Sequence, residues 1–480
     1  MDRSQTARAF GWNMLFAAIN RVIVPLGMVL FNRVLGPTTM GVYGLIATIL
    51  AMADLFRDGG LTQTYIADQE MTTERERAYH TLAVITAAFL ASVILIIGLG
   101  FGDKINLPVE QRWTVWWIAL VLIGNGFLTI PSARLQREAR FRDVGMAEMV
   151  ASLTSFGLAV VLVFSGFGIA GLVWMLIVRA IINLVLIIRL TGSVAIGSSR
   201  ALIGRVFRRS STVLGSLAVG APFGFIDNLL ISSRLGPTQL GFYAGAWNIG
   251  MKPGELVTAP LVRVLYVAYS KRLGDDRDFA NAYVRSVSMV CLLVLPVYAV
   301  LGVFSGSIIE ALLGKDWSRS AGILSILAPY YAFRSVGSLG CVALTAGGKA
   351  SSVTYSWIAG YTAVALMICT RWATIDVEWF AASFMTGAIV VYSSSTILAL
   401  RRYVADPAVR RSCFLNLTLG LFSVLLAWAI HMLHLPVWGE LVAASFAIPP
   451  IYLFVTGLVH HRRPLVYLSP AGLRRLYSGL

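Results

Sequence analysis

Charge is what this 480-residue sequence has least of: 13% of its residues are Asp, Glu, Lys or Arg, against 57% hydrophobic ones. A soluble globular chain carries roughly 25% charged residues, so a water-soluble enzyme of this length is excluded for want of a surface. Histidine is scarce, at five, and the four cysteines, Cys291, Cys341, Cys369 and Cys413, lie scattered in or beside apolar runs. With no CxxC, HExxH or GxSxG, the sequence offers neither a disulfide framework, a metal centre nor a hydrolytic nucleophile. The nearest string to a phosphate-binding loop, Gly347-Gly348-Lys349, runs into alanine, so ATP hydrolysis within the chain is excluded as a motor.

Long apolar runs take the place of these features. A membrane-spanning helix needs about 20 largely apolar residues, and fourteen such runs are expected. They cover 10–32, 41–66, 80–101, 113–133, 145–166, 169–190, 210–233, 240–265, 282–304, 323–345, 352–370, 377–399, 413–433 and 439–459. The expected fold class is an all-α polytopic membrane protein, with no connecting segment longer than roughly 20 residues and hence no soluble catalytic domain. The net charge of +16 is then largely topology. With the N-terminus inside, cytoplasmic segments hold 24 Lys and Arg and the opposite segments 7, which satisfies the positive-inside rule with both termini cytoplasmic. Anionic membrane lipids are expected partners on that side; nucleic acid is not.

Residues 35–43 read LGPTTMGVY and residues 235–243 read LGPTQLGFY, with Leu, Gly, Pro, Thr, Gly and Tyr recurring at an offset of 200. The offset encloses six expected helices, an even number, so the repeat is parallel, with its axis along the membrane normal. This predicts a six-helix lobe over 1–200, a second over 201–402, and two further helices with a basic tail over 403–480. Both lobes carry interruptions at matching places: Pro25 and Pro222 in the leading helices, Asp58-Gly59-Gly60 and Lys252-Pro253-Gly254-Glu255 in the second. Paired interruptions of this kind point to a transporter binding site, although glycines also serve close helix packing.

The two LGPxxxGxY segments, the run Phe225-Ile226-Asp227-Asn228 and the later Leu312-Leu313-Gly314-Lys315-Asp316-Trp317 resemble the polysaccharide translocases. These are the O-antigen and exopolysaccharide flippases of the multidrug/oligosaccharidyl-lipid/polysaccharide exporter superfamily. The resemblance implies a V-shaped pair of lobes, placement in the cytoplasmic (inner) membrane, and an undecaprenyl-diphosphate-linked oligosaccharide as cargo. It further implies cooperation with a polysaccharide polymerase and chain-length machinery. In related lipid II flippases two additional helices form a groove for the polyprenyl tail, the role this resemblance implies for 413–433 and 439–459.

Ionisable side chains at mid-bilayer are costly and mark cavities or partners. Arg21, Arg57, Lys252 and Arg334 are the expected basic lining for a diphosphate, since guanidinium donors match phosphate oxygens in pairs. Asn20, Asn228, Asn248, Tyr243, Trp247, Tyr330 and Tyr331 are the expected sugar contacts, with packing or an interfacial belt as the plainer role for the aromatics. Asp54/Arg57 and Lys252/Glu255 are spaced i,i+3 and share helix faces. Either these pairs neutralise one another, or Asp54, Asp227 and Glu255 accept the coupling ion, H⁺ or Na⁺; no cofactor is expected. Two other functions remain open: an integral membrane polymerase or ligase, and a drug or cation exporter of the same superfamily.

Overall fold

The computed structural model describes residues 3–100, 109–192, 195–220, 224–272, 276–404 and 423–433, with isolated positions beyond, and side chains from Gly27 onward apart from short stretches such as 212–223. Every regular element among the described residues is helical. In chain order they are α1 (Arg3–Asp58), α2 (Leu61–Ala67), α3 (Thr73–Gly100), α4 (Trp113–Arg137), α5 (Phe141–Leu162), α6 (Ile169–Thr191) and α7 (Arg200–Gly220). There follow α8 (Ile226–Leu235), α9 (Pro237–Lys271), α10 (Asp276–Val303), α11 (Ser305–Leu312), α12 (Ser318–Ala346), α13 (Ala350–Thr370) and α14 (Val377–Tyr403).

Eight described stretches are long and apolar enough to cross a bilayer, from Gly27–Ala67 to Val377–Tyr403. Helices α9 and α12 fall outside that set because they carry Lys252, Glu255 and Arg334 among Ser and Tyr, which dilutes their hydropathy. Of the expected span 413–433, residues 423–431 are described as helix and 413–422 lie outside the described residues, as does almost all of 439–459.

Packing divides the chain into two compact units, Met1–Ala244 and Gly245–Leu480. The first unit reaches past the repeat boundary at 200 because the start of α7 packs on α2 and α3. Leu202 and Val206 join Leu61, Tyr65, Ala78, Leu82 and Ile130 in one apolar cluster. A second cluster joins α1, α3, α4 and α6 through Val42, Ile46, Leu50, Ala91, Ile118, Leu122, Val173 and Ile177.

Breaks in this unit follow glycine. The Gly59-Gly60 pair takes positive φ (48° and 80°) and ends α1 at Asp58, as the sequence predicts. The tight turn between α5 and α6 likewise uses Gly166 and Gly168 (φ 88° and 55°). The expected span 210–233 falls on two described elements, α7 through Gly220 and α8 from Ile226, and residues 221–223 between them lie outside the described residues.

The repeated segments meet each other. Gly36 (φ 73°, ψ 171°) and Gly236 (φ 84°, ψ 173°) adopt the same backbone, each swinging the chain into a new helical run that opens on proline. A Cβ at Gly41 would strike the carbonyl of Pro237, and one at Gly241 the carbonyl of Pro37. Between these two reciprocal contacts the hydroxyls of Thr38 and Thr238 lie 2.9 Å apart.

In the second unit α12 lies against α10, α13 and α14. Small residues allow the approach: Gly337 faces Tyr392, and Gly340 faces the backbone of Ser395 and Thr396. The Leu312–Trp317 motif closes α11 with Gly314 at φ 98° and buries Trp317 against Gly245 of α9. One expectation fails here. The Lys252-Pro253-Gly254-Glu255 interruption does not break the chain, because α9 runs through it as helix. The amide of Gly254 donates to the Tyr298 hydroxyl at 2.9 Å, so α10 supplies an acceptor where proline disturbs the helix's own ladder.

Candidate transport site

Three groups of expected residues come together, each within one unit. The first lies along α1 and α4. Arg57 Nε donates to Asp54 Oδ1 at 2.9 Å, forming the i,i+3 pair that the spacing predicts. Its Nη1 donates to the Asn125 carbonyl at 3.0 Å and to the Thr129 hydroxyl, while Asn125 Nδ2 donates to both Asp54 oxygens at 3.1 Å. The pair lines a polar cavity of about 390 Å³ that also reaches Asp58, Gln136, Glu148, Arg179 and Asn183. The buried Oδ1 of Asn183 has no hydrogen-bond partner among the described residues. Asn125, Glu148 and Asn183 were not singled out from sequence. A polar amide in the middle of an apolar run was the available signal, for 113–133 and for 169–190.

The second group surrounds Asp227, which is 1% exposed in the first turn of α8. Tyr243 donates its hydroxyl to Oδ2 at 2.9 Å, and the Asn228 amide donates to Oδ1 at 2.8 Å. Asn228 in turn donates its side-chain amide to Thr48 Oγ1 at 2.9 Å, tying α8 to α1. Among the described residues no ion pair reaches Asp227. This carboxylate is held by neutral donors alone, consistent with its distance in sequence from any central cation.

The third group is aromatic and belongs to the second unit. Trp247 sits 5.3 Å from the Tyr330 ring and 5.5 Å from Tyr331, whose hydroxyl donates to the Trp247 carbonyl at 3.0 Å. Tyr298, which sequence reasoning missed, stacks on Tyr331 at 5.8 Å with the rings 18° apart. Arg334, one turn along α12 from Tyr330, is half-buried and lies within the electrostatic reach of Tyr392 of α14 and of Glu255. Lys252 and Glu255 pair at 3.3 Å, each about two-fifths exposed. Asn248 is exposed, off the ring cluster. The side chains of Asn20 and Arg21 lie outside the described residues.

Chemically, this set can bind and move charge. Residues 30–322 match a family described as polysaccharide biosynthesis protein. The chain belongs to that family. It is 24% identical over 360 residues to the lipopolysaccharide biosynthesis protein WzxC of Escherichia coli K12, covering 70% of this chain and 69% of the relative. A putative O-antigen transporter of Shigella flexneri is 22% identical over 363 residues, or 70% of this chain and 84% of that protein. The fold matches lipid II flippase MurJ in an inward closed conformation, with a TM-score of 0.74 over 94% of this chain and 99% of that one, at 10% identity. An inward-facing multidrug-resistance MATE transporter matches with a TM-score of 0.59, over 82% and 99% at 16% identity. The chain thus has a multi-pass helical membrane architecture, as expected from the sequence.

Proposed function

We propose that the chain is a flippase that moves undecaprenyl-diphosphate-linked oligosaccharide repeat units across the cytoplasmic membrane during surface-polysaccharide biosynthesis. It is not an enzyme on this reading, and the names of the family relatives, transporters and flippases, support that. The observation that carries the cargo chemistry is the juxtaposition of Trp247, Tyr330 and Tyr331 with Arg334. Aromatic faces pack against sugar rings, and a guanidinium is a bidentate match for phosphate. Arg21 and Lys252 complete the basic lining in this proposal. Arg57 contributes less, since its donors are already given to Asp54, Asn125 and Thr129.

Fourteen spans, two parallel six-helix lobes in a V and cytoplasmic termini belong to the same proposal, with polymerase and chain-length machinery acting downstream. Coupling to H⁺ or Na⁺ is assigned to Asp54, Asp227 and Glu255, of which Asp227 has no charged partner among the described residues. The test is a deletion strain. Lipid-linked repeat units should accumulate on the cytoplasmic face; units that reach the far side but stay unpolymerised would replace this reading with that of a polymerase.

A further inference from the structure

The geometry points to the first three turns of α7, together with Arg77, as a docking surface for anionic phospholipid headgroups of the cytoplasmic leaflet. One face of this helix is fixed. Leu202 and Val206 are buried in the unit, and Ser210 shares a 2.9 Å hydrogen bond with Thr64. The segment leading into it is also pinned to α3: the Gly197 amide donates to Thr81 Oγ1 at 2.9 Å and Ser198 donates to the Glu74 carbonyl at 3.5 Å. Arg77 lies on α3 between those two anchor points and is exposed.

With Leu202, Val206 and Ser210 inward, the 100° turn per residue directs Arg208 outward and sets Arg200 and Arg205 on either side of it. All three are exposed. Arg209 and Arg75 are occupied by Asp68, at 3.4 and 3.2 Å. By contrast, Arg77, Arg200, Arg205 and Arg208 form no ion pair among the described residues, and the described part of α7 contains no acid at all. Gly204, between Arg205 and the opposite flank, has open space where a Cβ would stand. Four exposed arginines without an ion pair among the described residues thus lie on the first turns of α7 and on the α3 segment to which its lead-in is pinned.

Position selects the occupant. The expected membrane run begins at residue 210, so Arg205 and Arg208 stand within roughly 3–8 Å of it along the helix axis. At that height phosphate oxygens are the abundant anion, and guanidinium offers them paired donors. Phe207 is 57% exposed on the same turns, an apolar ring suited to the acyl boundary and unsuited to open water. An acidic soluble protein would match the charge but not Phe207.

This inference rests on the reading that α7 begins on the cytoplasmic side, and the two can fail separately. Gly204→Cys, in a variant with the four native cysteines replaced by serine, is labelled with bimane in vesicles of phosphatidylcholine and phosphatidylglycerol. In matched preparations one lipid or the other is brominated. Brominated phosphatidylglycerol should quench the probe more strongly than brominated phosphatidylcholine. Arg205→Gln and Arg208→Gln should each lower that lipid's local association about fivefold. Equal quenching by the two lipids with the arginines intact would overturn the proposal. Should the cysteine-free variant not fold, the ratio of phosphatidylglycerol to phosphatidylethanolamine retained on purified native-cysteine protein decides: unchanged retention in Arg205→Gln/Arg208→Gln also overturns it. The side is read independently by an impermeant thiol reagent in cells: labelling of the Gly204→Cys variant from outside would refute the orientation without touching the lipid preference.

Discussion

The hydroxyls of Thr38 and Thr238 stand 2.9 Å apart although 200 residues separate them. The same offset relates Gly41 to Gly241 and Pro37 to Pro237, and each glycine lies under the other copy's proline carbonyl. An internal duplication that packs on itself in this way brings equivalent backbone atoms together about a local two-fold, so the repeat is a contact as well as a record of ancestry. The motif's glycine and proline have separate duties: Gly36 and Gly236 take a φ open to glycine, Pro37 and Pro237 open the next helical run, and Gly41 and Gly241 leave room for the crossing.

That arrangement makes Gly41→Ala and Gly241→Ala destabilising, each by about 1–3 kcal/mol, because the atoms met are backbone and cannot rotate away. The double variant should cost less than the sum, since both substitutions prise apart one junction. Gly44→Ala is the control: its Cβ would meet only the Ala244 methyl, at an ordinary 3.7 Å. Thermal unfolding of purified protein in detergent checks all four, and an unaffected Gly41→Ala would contradict the crossing.

Arg57 and Asp54 make a second test. Arg57→Ala leaves Asp54 with the Asn125 amide as its remaining described donor, in a site where the arginine side chain is 11% exposed. Breaking one half of a largely buried pair strands the other charge. The single variant should therefore lose about 2 kcal/mol or more and express poorly. Arg57→Met with Asp54→Asn should recover most of the expression. If both variants express like the native chain, the pair has no structural role.

Much of this was legible in the sequence, for physical reasons that differ by case. Helix ends at Gly59-Gly60 and at Gly166–Gly168 depend on backbone conformations that glycine alone adopts readily, so composition announces them. The i,i+3 pairs Asp54/Arg57 and Lys252/Glu255 are local, and helical spacing fixes them. What stayed hidden needs a partner far along the chain. The continuity of α9 through Pro253 depends on the Tyr298 hydroxyl, 44 residues beyond Gly254. Similarly, the cavity around Asp54 collects Asn125, Glu148, Arg179 and Asn183 from three other helices, and no period in the sequence relates them. Arg57 looked available for a ligand because its acceptors, Asn125 and Thr129, are 68 and 72 residues away.

Asp227 gives a prediction about coupling. Asp227→Asn keeps the size of the side chain and an oxygen for the Tyr243 hydroxyl, yet it cannot take up a proton or hold Na⁺ as a carboxylate does. The variant should insert normally and abolish net export, read as surface polysaccharide in a complemented deletion strain. Tyr243→Phe removes one of the two donors seen at the carboxylate and should weaken export in the same direction while leaving the acid in place. Full surface polysaccharide from Asp227→Asn would remove this residue from the mechanism.

Arg334 carries the sharpest test of cargo chemistry. It sits on α12 next to Tyr330 and Tyr331 and within the electrostatic reach of Tyr392, so a loss of function on its removal has two explanations, a broken scaffold or a missing phosphate ligand. Three substitutions separate them. Tyr392→Phe deletes the hydroxyl and leaves the guanidinium; if the interaction with Tyr392 is what matters, this variant should fail as badly as Arg334→Ala. If the guanidinium holds a diphosphate, Tyr392→Phe should export nearly normally while Arg334→Ala is severely impaired at wild-type expression. Arg334→Lys should then recover only part of the activity, because an ammonium keeps the charge but loses the planar pair of donors. Export measured alongside protein level reads all three, and Arg334→Ala with undiminished export would remove Arg334 from the proposed phosphate contacts, with Arg21 and Lys252 next to be tested.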